Sequence, residues 1–173
     1  MALIALVGLG LTGCAPAEPV AACPARQAVL SPADAAALEE RITALARADG
    51  PSALVITEAE ANAYIAHRVL RTSDHEARIT FGSDGVCLAA ELAVRQRHVP
   101  LIAWANLSTS EGTLSADLVA VRLGRWRLPT LLRRSLESML NELLAEQGGS
   151  ASIESVSIDD GILELVVVLN AVP

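Results

Sequence analysis

Lysine is absent from the 173 residues, and aromatic side chains are scarce: Tyr64, Phe81, Trp104 and Trp126 are all there are. So few rings exclude a stacking platform for bases or sugars, and the core has to be built from Leu, Val, Ile and Ala. Basic charge comes only from Arg, and the formal net charge is −7. Such an acidic chain lacks the basic footprint of a general nucleic-acid binder. No CxxC or HxxxH spacing occurs, so the sequence offers no metal site. No Gly-rich loop is present to cradle a phosphate, and no cofactor is expected. Ser83 sits in Gly82-Ser83-Asp84-Gly85, which lacks the Gly-x-Ser-x-Gly spacing of a nucleophile elbow and reads as a turn. Glu39-Glu40 and Asp159-Asp160 are adjacent pairs whose side chains diverge, so neither makes a carboxylate dyad. His67, His75 and His98 are scattered and read as surface or edge residues. Together these absences point away from an enzyme.

Charge is also missing from residues 2–13, which are mostly Ala, Leu, Ile, Val and Gly. The run falls short of the ~20 residues of a spanning helix but suits the apolar region of a signal peptide. It leads into Leu11-Thr12-Gly13-Cys14, which resembles a bacterial lipobox. On that reading residues 1–13 are a lipoprotein signal peptide and the mature chain begins at Cys14, the site of lipid attachment. Stable anchoring takes about two lipid signals, and lipoprotein cysteines of this kind carry two or more acyl chains of the palmitate type. The protein is then expected in the bacterial cell envelope, extracytoplasmic, held to a membrane through its N-terminal lipid. No Lys or Arg precedes the apolar run, a departure from the pattern. The alternative is a buried N-terminal element with a chance Gly-Cys.

Lipidation of Cys14 would leave Cys23 and Cys87, in an oxidising compartment. They are either the one intramolecular disulfide the chain can form or two semi-buried thiols. A bridge would pin the linker to the domain and add about 4 kcal/mol on the chain-entropy model. Residues 14–30 read as an Ala/Pro-rich tether, and residues 31–173 as one domain.

Ser31-Pro32-Ala33-Asp34 predicts a helix start, and Gly50-Pro51 its end. Leu38, Ile42, Leu45 and Ala46 make its stripe. A short strand covers Ala53 to Ile56. Thr57-Glu58-Ala59-Glu60 is a capping box opening a second helix to about Leu70, with Ala61, Ile65 and Val69 facing the core. From residue 75 the period becomes two. Asp84-Gly85, Glu111-Gly112 and Asp160-Gly161 mark three hairpin turns of an antiparallel meander. Leu118 to Val121 is apolar on both faces, as expected of a covered segment. A third helix runs from Thr130 to about Gln147. Its apolar stripe is Leu132, Leu136, Met139, Leu140, Leu143 and Leu144, and its wet face is Arg133, Arg134, Glu137, Asn141, Glu142 and Glu146. Arginines at its start oppose the helix dipole. Leu163 to Leu169 reads as a central or doubly covered strand. The expected class is α+β: a curved antiparallel sheet of about six strands packed by two or three amphipathic helices.

The order of these elements resembles a family. Val55 to Asn62 opens a helix, Leu128-Pro129 precedes a long one, and Ile158 to Leu163 forms the closing turn. Over residues 53–173 the chain is similar to the YpmS-like and LmeA-like envelope proteins, which resemble tubular lipid-binding folds. The resemblance implies helices wrapped by a curved sheet, with an apolar groove for an acyl chain, and carries no catalytic residues.

Leu132, Leu136, Met139, Leu140, Leu143, Val119, Val121, Leu165 and Val167 are the residues that would line such a groove, or else pack as a plain core. Arg122, Arg125, Trp126, Arg127, Arg133 and Arg134 gather basic charge that suits contact with anionic headgroups, or else form a solvated loop. The expected function is non-catalytic binding of a lipid or other apolar ligand by a membrane-anchored lipoprotein. The alternative is a protein-interaction or envelope-assembly module with a solid core, meeting another envelope protein.

Overall fold

A computed structural model describes residues 20–24, 30–45, 47, 48, 50–70, 76–83, 85–94, 97–148 and 151–169. Among them the fold is α+β, with three α-helices and eight antiparallel strands. The strands divide into two sheets where the sequence suggests one of about six strands.

Helix α1 (Pro32–Leu45) begins as expected, with the Ala33 N–H donating to Ser31 Oγ at 3.2 Å. Its buried side chains are Ala35 and Leu38, and it lies against the second helix. Strand β1 (Ser52–Thr57) leads directly into helix α2 (Glu58–Tyr64), whose last turn passes into a π-helical segment, Ile65–Val69. The capping box forms: Thr57 N–H donates to Glu60 Oε2 at 2.9 Å, and Glu60 N–H to Thr57 Oγ1 at 3.3 Å. Val69 points outward instead of coreward, and Asn62 and Ala63 are the residues α2 buries most deeply.

Strands β2 (Ala77–Gly82), β3 (Gly85–Val94), β4 (Arg97–Ser110), β5 (Thr113–Leu123) and the two-residue β6 (Trp126–Arg127) form a meander in chain order. Helix α3 (Thr130–Gly148) follows and packs on β5. Strands β7 (Ala151–Asp159) and β8 (Ile162–Leu169) close the chain. Strand β8 is the central member of the second sheet, between β1 and β7, which explains its nearly continuous apolar sequence.

The two sheets meet around Phe81, Val86 and Leu163, packed by Ile56, Ile79, Leu107, Val156, Ile158 and Leu165. Burying these aliphatic chains is the main stabilising term. Hairpin tips lock the layers together. The Gly161 N–H donates to the Phe81 carbonyl at 3.0 Å, and Gly161 O accepts from Glu58 N–H at 2.9 Å. Gly112 O accepts from Ile153 N–H at 2.7 Å, and a side chain at Gly112 would run into Ser152. The Glu111-Gly112 and Asp160-Gly161 turns are therefore docking points as well as reversals.

Residues 20–24 lie against the domain although the sequence places them in the tether. Cys23 is disulfide-bonded to Cys87, with Cα atoms 5.6 Å apart. Trp104 Nε1 donates to the Ala21 carbonyl at 2.9 Å, and Val20 is buried.

Candidate binding surface on the third helix

Antiparallel sheets leave unpaired N–H and C=O groups along their edges, and folds have to cover them. At one edge of the five-stranded sheet, α2 does so with two side chains. Asn62 Nδ2 donates to the Ile79 carbonyl at 2.8 Å, and Ile79 N–H returns to Asn62 Oδ1 at 2.8 Å. Glu58 Oε2 accepts from Phe81 N–H at 3.2 Å. Helix α3 repeats the arrangement toward the other edge, since β6 covers β5 only at Arg122 and Leu123. Ala116 N–H donates to Asn141 Oδ1 at 2.8 Å, and Asn141 Nδ2 to the Ala116 carbonyl at 3.1 Å. Glu137 Oε2 accepts from Leu118 N–H at 3.0 Å.

Both clasps are Glu-x-x-x-Asn, set against two strand residues two apart: Phe81 and Ile79 for α2, Leu118 and Ala116 for α3. The spacing has a simple cause. Four helical residues rise about 6 Å, and two strand residues advance about 6.8 Å. A helix row at i and i+4 therefore meets every second residue of an adjacent strand edge, and Asn presents the donor and acceptor that a strand neighbour would.

Arg133 extends the α3 row by one more step. Its guanidinium donates to the Leu118 carbonyl and, at 2.8 Å, to the Val119 carbonyl. Val119 is the extra residue of a β-bulge, because Trp104 pairs with Ala120 and Ala105 with Leu118. The bulge explains the uninterrupted apolar run in β5: Leu118, Ala120 and Val121 are buried while Val119 is thrown outward, 46% exposed.

The row Arg133, Glu137 and Asn141 was expected to be wet, yet it faces the sheet. The residues expected to line one groove are consequently split. Leu132, Leu136, Met139 and Leu143 are 57%, 41%, 59% and 54% exposed. At about 100° per residue their row lies roughly 130° around the helix from the clasp. Leu140 is half-buried beside the clasp, and Val121 is buried in β5. Leu165 joins the inter-sheet core, and Val167 is half-buried on the same β8 strand. The described residues thus bring no single groove together from this set. The physical reason is the β5 edge, whose open backbone groups take the polar row of α3 as their partners and so turn the apolar row away.

The basic residues are divided as well. Arg133 is taken by the clasp, a correction to its expected place in a headgroup surface. Arg125, Trp126, Arg127 and Arg134 are exposed, with Trp126 at 76%, and Arg122 is half-buried opposite Arg127. Cys14 and His75 lie outside the described residues. His98 Nδ1 is 3.5 Å from a Glu91 carboxylate oxygen. His67 stands in the π-helical segment, half-buried, with a buried Nε2 atom that has no hydrogen-bond partner among the described residues.

Two surface depressions complete the picture. One, about 260 Å³, is lined by Ser83, Gly85, Asn106, Leu107, Val156 and Ile158. The other, about 270 Å³, lies between α1 and β1 and is lined by Ala44, Leu45, Ala53, Leu54 and Val55 with Arg41. No α3 residue lines either. Among the described residues no group of His, Cys, Asp and Glu could hold a metal ion, and no helix is long and apolar enough to cross a membrane. No family model matches the chain, and no characterised protein matches it in sequence.

Proposed function

We propose that the chain is a non-catalytic binding module of the bacterial cell envelope, lipid-anchored at Cys14, whose docking surface is the outward face of α3. The observation that carries this is the exposure of Leu132, Leu136, Met139 and Leu143 as one row on a helix whose polar row is fixed to β5. Contiguous exposed apolar surface marks interaction sites. Export is supported by the Cys23–Cys87 bridge, since disulfides persist in oxidising compartments. Thiol labelling of the full chain in its own membranes tests the surface. A cysteine at Met139 should react several-fold more slowly than one at Ala145, which is exposed on the far side of α3. Equal reactivity refutes the reading.

A second reading, binding of a lipid or other apolar ligand, is supported by the depression between α1 and β1. Its volume, about 270 Å³, lies just under the roughly 300–1,000 Å³ of small-molecule sites. Under this reading native mass spectrometry after exposure to lipid finds the domain with a bound acyl species.

A further inference from the structure

We infer that one end of the five-stranded sheet, the end bearing Arg97, Arg125 and Trp126, rests on the anionic surface of a lipid bilayer. The inference takes its membrane from the proposed lipid anchor at Cys14 and adds a second contact, separate from the docking face of α3. Three features point to it.

The first is what the register gathers there. Two reversals lie at this end. Val94 pairs with Arg97 across the β3–β4 hairpin, and Leu123 with Trp126 across the β5–β6 turn. The Gly124 N–H donates to the Pro100 carbonyl at 2.6 Å and ties the second reversal to β4. Side chains alternate between sheet faces. The pairings therefore set Leu92, Arg97, Leu101, Leu123 and Trp126 on one face. Trp126 is 76% exposed, and Leu92 is exposed as well.

The second is how charge is sorted. Arg97 is exposed on that face, and Arg125 is exposed in the turn beside Trp126. The acids near this end, Glu76 and Glu91, stand on the opposite face by the same alternation, with His98 beside Glu91. Among the described residues no acidic side chain shares the Trp126 face here. Trp settles at the boundary of water and hydrocarbon, and Arg is drawn to anionic lipid. The chain as a whole carries −7, so the same lipid repels its other surfaces and selects this end. Neither surface depression is lined by these residues, which fits a broad surface and not a small anion.

The third is the path of the anchored end. Cys23 is bonded to Cys87 on β3, and the Ala21 carbonyl meets Trp104 on β4. Traced toward the N-terminus, the chain thus crosses from β3 to β4, in the direction of β5. Trp104 pairs with Ala120, and three strand residues, about 10 Å, separate Ala120 from Leu123. The anchored end is led to the side of the sheet where Trp126 stands.

Vesicle flotation and fluorescence of the full chain, purified from its own membranes, test this. The vesicles are phosphatidylcholine alone or with phosphatidylglycerol, each with brominated acyl chains that quench Trp. Subtracting the Trp126→Phe signal isolates Trp126 from Trp104. The expected result is flotation with both vesicles and Trp126 quenching several-fold stronger with phosphatidylglycerol. Arg97→Gln with Arg125→Gln should remove that excess, and all three side chains are exposed, so the fold is not at stake. Flotation with both vesicles without Trp126 quenching overturns the inference and leaves the anchor standing. Equal quenching by the two vesicles, or an excess that survives the double variant, overturns it too. Flotation and quenching with phosphatidylglycerol alone overturn the anchor and leave this contact standing. Flotation with neither overturns both.

Discussion

Glu60 shows how one side chain joins two helices. Its carboxylate accepts from the Thr57 N–H and hydroxyl, each at 2.9 Å, and lies 2.5 Å from the Arg41 guanidinium of α1. Burial alone would raise its pKa. The Arg41 and Thr57 hydrogen bonds, with the Arg41 charge, outweigh that and hold the group below its ordinary value. A depressed carboxylate contributes stability that is fully present above the unfolded-state pKa and is lost as pH falls through the folded one. The wild type should therefore exceed Glu60→Gln in urea midpoint at neutral pH, and the gap should close as the pH enters the acidic range below the usual carboxylate value. A gap that persists there would mean that the charge is not the cause. The capping box was legible because it is local: Thr57 and Glu60 are three apart, and the geometry follows from the helix start. Arg41 was not legible as the partner, because nothing in α1 tells which helix it meets.

At the scale of elements, the two helices that close the five-stranded sheet use the same pair of side chains in different surroundings. Asn62 is 2% exposed, while Asn141 is half-buried. Replacing Asn62 by Ala strands the Ile79 N–H and carbonyl away from water, which costs about 3 kcal/mol. Replacing Asn141 by Ala lets water reach Ala116, so the loss is nearer about 1 kcal/mol. Urea denaturation of both variants checks the order, and a larger loss at Asn141 would contradict it. Amide exchange should quicken at Ile79 in the first variant and at Ala116 in the second.

These clasps also mark where sequence reading stops. The period-two strands, the three acidic-Gly turns, the α2 cap and the central position of β8 all follow from patterns within a few residues. The orientation of α3 does not. Periodicity assigns Arg133, Glu137 and Asn141 to water and the leucines to the core, and it assumes that a helix meets an apolar surface. Helix α3 instead meets a strand edge, where polar groups are what is needed. The signal that could have shown it is Glu-x-x-x-Asn, present once in each of α2 and α3 and unrelated to hydrophobicity. The division into two sheets was equally hidden, because β1 pairs with β8 from the far end of the chain.

For the molecule as a whole, the bridge between Cys23 and Cys87 spans 64 residues. On the chain-entropy model it stabilises by about 4 kcal/mol. Cys23→Ala should lower the urea midpoint by up to that amount, and it should also free the segment that covers Trp104. Acrylamide would then quench Trp104 fluorescence more strongly, a readout separable from Trp126, which is already exposed. Unchanged quenching would mean that Val20 and the Ala21 carbonyl hold the segment without the bridge. Under the proposed lipid anchor at Cys14, the docking of residues 20–24 also sets a height. A free linker from position 14 to 30 would let the domain roam roughly 60 Å above a bilayer at ~3.6 Å per residue. With Val20 fixed to the body, only the six steps from position 14 remain, a leash of at most about 22 Å. Anchored copies would then share one thin layer, so they meet in two dimensions rather than three. In that layer even a weak contact between neighbours is sampled at high effective concentration.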